Sequence, residues 1–428
     1  MLNNSNLSRY VYTFAYNDNQ TILYNSLNRS VILLDNEKLN NNFKNLSGDE
    51  INQLKEMDFL NDNNNPLRKI TEIYDNCNSD VLNLIIELTQ KCNLQCTYCY
   101  QEDWSKSDKI SLDTIEKILV YTRNCLESKN YTKLSVNFIG GEPLVESELL
   151  ILIYDKLKLL CDELAIKFQI DIDTNGVLLT REFLSKLDNV NLSVSLTLPD
   201  DHDIKRVTKS GQSTYDTIVS NLILCKDIFE SKDKNCKLFI RYNVDYYNKS
   251  KFPEFLDHLL ATGLKFYAYT AYTFEHECNP YKNTWSLNDY KIWNSSEGID
   301  ILIDKGFHIT HSPNVGVIPC KAYYKHSLKI YADGYLGLCN GHSPTLKKFK
   351  IDDVYNDIDN VIEFFPEKKQ KPFANSTCSN CKELALCGGA RFCKDKFCEY
   401  GDLNLETYLK TYVKHMLIGN SNYFLFNK

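Results

Sequence analysis

Hydrophobic and polar positions change their rhythm near residue 80, and that change divides the chain. From residue 82 onward short β-rich runs alternate with amphipathic stretches of helical period, which argues for parallel β/α units. The strand candidates are Leu82 to Thr89, Leu134 to Ile139, Ile166 to Asp173, Val190 to Thr197, Lys237 to Val244 and Leu264 to Tyr272. Helical stretches separate them, at Leu112 to Glu127, Glu146 to Leu164, Arg181 to Leu187, Tyr215 to Phe229 and Phe252 to Ala261, and Leu287 to Lys305 follows the last. Near-continuous apolar runs such as LNLIIELT fit a sheet buried on both faces. The fold predicted is α/β, a partial (β/α)6 TIM barrel with six units instead of eight, whose open side admits a large substrate. In such sheets the chemistry sits at the C-terminal ends of the strands.

Before residue 80 the pattern is different. YVYTFAY, TILYNS and SVILLD are short strands joined by polar turns, and the helical stretch SGDEINQLKEMDFL follows. Asn and Asp then crowd NDNNNP, which has the composition of a linker. Residues 1–78 therefore read as a small β+α domain and residues 79–306 as the barrel. In residues 307–428 regular structure thins ahead of a C-terminal helix, as expected where metal ligands hold a chain that lacks a large core.

Composition narrows the function. With 428 residues and 43% apolar side chains the chain can bury more than one core. A net charge of -7 argues against broad nucleic-acid binding, which needs many cationic contacts to phosphate. The chain has no apolar run of about 18 residues, and MLNNSNLSRY lacks the apolar core of a signal peptide, so no membrane partner and a cytoplasmic location are expected. Sixteen cysteines are then unusual, because a reducing cytosol leaves metal binding or catalysis as their main uses. Ten of them fall between Cys92 and Cys99 or between Cys320 and Cys398. Cys77, Cys125, Cys161, Cys225, Cys236 and Cys278 stand singly and read as small buried hydrophobes.

TQKCNLQCTYCYQED sets Cys92, Cys96 and Cys99 in C-x3-C-x2-C spacing on a loop after the first barrel strand. Three soft thiolates select iron–sulfur or zinc, and a four-iron cluster with only three protein ligands keeps one iron open. The alternatives are three core cysteines or a zinc site with a distant fourth ligand. CNLQCTYCY resembles the signature of the radical S-adenosylmethionine (SAM) superfamily. The resemblance implies a [4Fe-4S] cluster whose open iron is chelated by the amino and carboxylate groups of SAM. It also implies reductive cleavage of SAM to a 5'-deoxyadenosyl radical, hydrogen abstraction, and an electron donor such as flavodoxin or ferredoxin. Tyr98 would lie near the adenine.

Other stretches carry the likeness onward. FIGGEPL, with Gly140, Gly141 and Glu142, is similar to the family's GGEP motif, which holds the SAM amino group; the glycines allow close backbone approach and the carboxylate accepts from an ammonium. Thr174 and Asn175 of IDTNG resemble the family's segment near SAM, and their side chains suit ribose hydroxyls. SVSLTLPDDHDIKR resembles the stretch whose hydroxyl and arginine bind the SAM carboxylate, although the family's Asp-Gly is missing here. Either Ser195 or Thr197 would supply the hydroxyl and Arg206 the guanidinium. RYNVDYYN also looks like the family but receives no role.

Near the C-terminus, Cys320, Cys339 after ADGYLGL, and Cys378, Cys381, Cys387, Cys393 and Cys398 of CSNCKELALCGGARFCKDKFC resemble the SPASM extension of peptide-modifying relatives. That extension carries two auxiliary iron–sulfur clusters. By the resemblance Cys320, Cys339 and Cys393 would serve one, and Cys378, Cys381, Cys387 and Cys398 the other, with Cys393 and Cys398 open to exchange. A further family cysteine is replaced by His326, so that the first cluster has an open iron, or His326 ligates it, or His326 is a surface residue. A zinc ribbon is the rival reading of this field.

SPASM relatives mostly modify peptides. The expected substrate is a ribosomally made precursor peptide that acquires a crosslink, thioether, epimerised centre or related change; a sulfatase matured to formylglycine is the alternative. The first domain favours the peptide, being similar to winged-helix domains that capture leader peptides on a sheet edge. An iron–sulfur electron carrier is the non-enzymatic rival. YTAYTFEHEC offers Tyr272, Glu275, His276 and Cys278 for proton or hydrogen transfer near the barrel mouth.

Overall fold

The structure is a computed structural model that describes residues 6–41, 43–61, 66–77, 80–99, 101, 109–231, 235–264, 266–273, 281–282, 285–309, 324–338, 348–365, 371, 373, 376–387, 409–410 and 413. The chain forms two compact units, one of residues 1–78, 311–320 and 370–428, the other of residues 79–310 and 321–369. The stretch 307–428, read as one region from its cysteines, is thus divided between them.

In the first unit β1 (Val11–Ala15), β2 (Gln20–Asn25) and β3 (Val31–Asp35) form an antiparallel sheet in sequence order. Helices α1 (Asn36–Asn40), α2 (Gly48–Glu56) and α3 (Pro66–Cys77) follow. Ser47 and Glu50 close a capping box that fixes the start of α2. The expected linker lies mostly outside the described residues, and its Pro66 opens α3, where a missing N–H costs nothing. Strand alternation sends Val11 and Leu23 to a core with Leu39, Phe43, Leu54 and Phe59. Tyr12, Phe14, Ile22 and Tyr24 pack on the other face with Leu386, Leu409 and Val413. Most of the expected C-terminal helix lies outside the described residues.

The second unit is built on a parallel sheet. Its strands are β4 (Val81–Glu87), β6 (Lys133–Ile139), β7 (Lys167–Thr174), β8 (Val190–Ser195), β10 (Lys237–Val244), β11 (Tyr267–Tyr272), β12 (His308–Ile309) and β13 (Leu328–Ile330), with β14 (Leu336–Gly337) antiparallel at one edge. The sheet order is β12-β11-β10-β8-β7-β6-β4-β13-β14. All six expected strands are present. β12 and β13 are additions, too short to show a period in sequence. β5 (Leu94–Cys96) and β9 (Arg206–Thr208) pair separately. The helices are α4 (Leu112–Ser128), α5 (Ser147–Glu163), α6 (Arg181–Ser185), α7 (Pro199–Lys205), α8 (Tyr215–Ser231), α9 (Phe252–Ala261), α10 (Leu287–Trp293) and α11 (Ile299–Asp304). The last two were expected as one helix, and a π-turn over Asn294–Gly298 joins them. No helix among the described residues is long and apolar enough to cross a membrane.

The faces of this sheet differ: β4, which carries LNLIIELT, is buried on both, whereas β7 and β8 bury one face and leave the other half-buried. Leu84, Ile86, Val136, Phe138, Ile170, Ile172, Leu192, Val194 and Ile240 are all buried in one core with helix residues such as Ile118, Ile153, Leu157, Ile218, Leu222 and Phe255. Each such side chain contributes roughly 1.5–3 kcal/mol by leaving water. Between them, on the other face, come Ser135 and Asn137, Asp171 and Asp173, Asn191, Ser193 and Ser195, then Arg241 and Asn243. Hydrogen bonds join this polar face laterally, Asn137 Nδ2 to Asp173 Oδ2 at 3.2 Å, Asn191 Nδ2 to Asp171 Oδ1 at 2.7 Å, and Ser193 Oγ to Tyr269 Oη at 2.8 Å. An inner face of this kind needs something polar to meet.

Candidate functional site

The loop that follows β4 carries Cys92, Cys96 and Cys99, none of them in a disulfide and all partly exposed. Its base is tied to the end of β6: the Gly141 N–H donates to Thr89 O and the Glu142 N–H to Lys91 O, both at 2.8 Å. A Cβ on Gly140 would stand 2.6 Å from Thr89 O, and one on Gly141 2.5 Å from both Gln90 O and Lys91 O. The two glycines thus permit the cysteine loop to lie against the strand end, a role that sequence reasoning gave to ligand approach. Burial pushes the Cys92 thiol up to about 11, partly offset by the Leu94 N–H it accepts.

Glu142 is 1% exposed. Its Oε1 accepts from the Leu144 N–H at 3.0 Å and the Thr174 hydroxyl at 2.7 Å, and its Oε2 from the Asn175 N–H at 2.7 Å. Burial raises its carboxyl above the usual range, and these hydrogen bonds oppose the rise. Asn175 in turn donates to Asn93 Oδ1 at 2.7 Å and approaches the Cys92 sulfur at 3.8 Å. Thr174 and Asn175 therefore hold the carboxylate and the cysteine loop in fixed relation.

Arg206 arrives by a different route. β5 and β9 pair antiparallel with Cys96 opposite Arg206, so the cysteine loop and the arginine segment form one clip. Asp203 caps the first turn of α8 through the Thr214 and Tyr215 N–H groups, and the Thr214 hydroxyl donates to Arg206 O at 2.7 Å. His202 is fully buried beside this turn, 3.2 Å from Thr214 Oγ1, and burial followed by the Arg206 charge pulls it down to about 2. One guanidinium nitrogen of Arg206 donates to Tyr98 Oη at 2.9 Å, and Asn243 Nδ2 donates to the same oxygen at 2.9 Å. Nε and Nη2 of Arg206 are buried without an acceptor.

These groups surround one cavity of about 230 Å³. Cys92, Cys96, Cys99, Tyr98, Gly140, Gly141, Glu142, Thr174, Asn175, Ser195 and Arg206 all line it. Thr197, the alternative to Ser195, is buried and does not. Tyr272 also lines the cavity, but its hydroxyl donates to Trp285 O at 2.5 Å, which commits the proton to the backbone. Glu275, His276 and Cys278 lie outside the described residues. Asp173, Ser193, Arg241 and Asn243, assigned no role from sequence, also line this wall. Their signal was present, since polar residues recur at every second position in IDIDT, NLSVS and IRYN.

Of the C-terminal cysteines, Cys378 and Cys381 are partly buried in the first unit, where the Cys381 N–H donates to Cys378 O at 3.0 Å. Cys387 ends a short helix, Leu384–Cys387. Cys320, Cys339, Cys393 and Cys398 lie outside the described residues. His326 is not a surface residue, being 3% exposed in the second unit. Its Nδ1 is 2.6 Å from Tyr131 Oη and its Nε2 3.5 Å from Asp359 Oδ1.

Residues 86–259 match the Radical SAM superfamily. Radical SAM cyclopropyl synthase TigE of Paramaledivibacter caminithermalis is 25% identical over 440 residues, covering 90% of this chain and 88% of that protein. Molybdenum cofactor biosynthesis protein 1 of Drosophila melanogaster is 32% identical over 184 residues, 42% of this chain and 30% of its own length. The solved structure of native anSMEcpe with bound AdoMet and Cp18Cys peptide shares the fold, with a TM-score of 0.57 at 18% identity over 80% of this chain and 99% of that one.

A radical SAM domain implies a [4Fe-4S] cluster and SAM, and the cavity fits both. Among the described residues no three His, Cys, Asp or Glu side chains are grouped to hold a single metal ion. A cluster sets its thiolates at its corners, farther apart than the ligands of one ion, and three cysteines spread around one cavity suit that geometry. The unmatched Arg206 nitrogens suit a carboxylate, and Glu142 Oε2 retains capacity for an ammonium.

Proposed function

We propose that this radical SAM enzyme abstracts a hydrogen atom from a residue of a ribosomally synthesised precursor peptide. The clip between β5 and β9 carries the reading, because it sets a buried guanidinium with two unmatched nitrogens next to the cysteine loop. Cys92, Cys96 and Cys99 hold the cluster. Glu142 receives the amino group of SAM, Arg206 and Ser195 receive its carboxylate, and Thr174 and Asn175 keep Glu142 aimed. Tyr98 and Asn243 fix the Arg206 fork. When bound, the cluster and SAM supply a one-electron cleavage and a carbon radical strong enough to take a hydrogen atom, with a flavodoxin or ferredoxin as the electron source.

Two observations support a peptide substrate. The anSMEcpe structure with the same fold has AdoMet and a peptide bound. The first unit offers β3, which pairs only with β2 among the described strands and leaves Leu33 42% exposed, an edge suited to adding a leader strand. The C-terminal cysteines would form a SPASM region, with auxiliary clusters that carry electrons to or from the peptide. The relative named for cyclopropyl synthesis favours a carbon–carbon bond as the product.

Anaerobic reconstitution with SAM and dithionite tests the reading in two steps. Release of 5'-deoxyadenosine is expected, and its absence would leave the electron carrier standing. After co-expression with its precursor, the peptide should lose two hydrogen atoms by mass spectrometry. An unchanged mass with inverted stereochemistry would mean epimerisation, and formylglycine would mean the sulfatase-type reaction.

A further inference from the structure

The cavity holds two arginines, and the proposed function uses only one. Arg241 lies on β10, one pleat before Asn243, and lines the same wall as Ser193 and Asp173. Its Nε is buried without a hydrogen-bond partner, and among the described residues the guanidinium pairs with no carboxylate. Asp173 is engaged by Asn137, and Ser193 by the Tyr269 hydroxyl. The neighbours therefore satisfy one another and leave Arg241 aside. A desolvated guanidinium nitrogen without an acceptor is costly, so its natural complement is a ligand that supplies one. SAM brings a single carboxylate, and the Arg206 fork, held by Tyr98 beside the cysteine loop, already meets it.

Resting on the SAM reading of Arg206, we propose that Arg241 reads a second carboxylate, one carried by the substrate residue that enters beneath the cysteine loop. The inner face makes the match specific. A planar fork set among hydroxyl and amide groups accepts two oxygens side by side, and an uncharged amide in the same place would turn an N–H toward the cation. The substrate class is then a peptide whose reacting or adjacent residue is Asp or Glu, or one presenting its own terminal carboxylate.

The test uses the full chain, reconstituted with iron and sulfide and saturated with SAM, and ligand-detected NMR with two probes. N-acetyl-aspartate amide should bind about tenfold more tightly than N-acetyl-asparagine amide. Arg241→Gln should erase that difference while leaving the SAM dissociation constant within about twofold, and Arg241→Lys should restore part of it. Equal affinity of the two probes for the unaltered protein overturns the proposal. A loss of SAM affinity in Arg241→Gln also overturns it, by assigning the arginine to the cofactor. If the unaltered protein does not bind SAM at all, the reading beneath the proposal fails first. Arg241→Lys keeps the charge and serves as the folded control, checked by circular dichroism.

Discussion

The outer and inner faces of the central sheet are made by the same strands, yet they answer to different constraints. Outside, Val136, Phe138, Ile172 and Leu192 are fully buried in a core shared with the helices, and their positions are set by volume. Inside, Asn137, Asp173, Ser193 and Arg241 alternate with them and are set by hydrogen bonding and charge. The contrast teaches that parallel strands need not be apolar on both sides when the inner side exists to receive a polar ligand.

Substitutions can break this contrast, and the largest effect belongs to the cavity that the inner face lines together with the cysteine loop. Cys96→Ala should reduce 5'-deoxyadenosine formation to background while the thermal midpoint of the cluster-free protein stays unchanged. A drop in that midpoint would mean that the cysteine loop is part of the core after all. On the outer face Phe138→Ala should cost about 3–5 kcal/mol in urea unfolding, with SAM affinity of the folded protein unaltered. Glu142→Gln comes next. The amide presents an N–H₂ where Thr174 and Asn175 already donate, and loss of the charge should weaken SAM by about ten- to a hundredfold in equilibrium binding.

Acid sharpens the contrast further. His202 is held neutral by burial and the Arg206 charge, far below its ordinary value of 6.5. Between those values the unfolded chain binds the extra proton, so stability is full above pH 6.5 and falls as pH drops. About 2 kcal/mol should be lost by pH 5, measured as a urea midpoint, and His202→Asn should flatten the slope. Ser193→Ala should have the smallest effect, under about 1 kcal/mol in stability, because Tyr269 loses one hydrogen bond at a site open to water.

Much of this was legible beforehand, for reasons that can be named. The six long strands announce themselves because each spans enough residues to show a period, whereas β12 and β13 do not. Cys92, Glu142, Asn175 and Arg206 could be singled out through the likeness of their motifs to a family's, and the four line one cavity. The support given to them was not legible. That Gly141 serves the backbone of Gln90 and Lys91, or that Asn243 steadies Tyr98, depends on distances between segments far apart in the chain. The packing of Leu386, Leu409 and Val413 against Tyr12 and Tyr24 is equally silent in sequence, since those apolar positions carry no mark of their partner.

One pairing has a consequence for how the molecule is made. β13 lies beside β4, and the Asn83 N–H donates to Ser327 Oγ across 244 residues of chain. Glu87 and Lys329, each 1% exposed, meet along the same seam at 3.6 Å. A ribosome releases β4 long before it reaches Lys329, and throughout that interval the strand has an open edge and a carboxylate with no cation to face. The nascent sheet is therefore exposed to wrong strand pairing until its first strand meets one of its last.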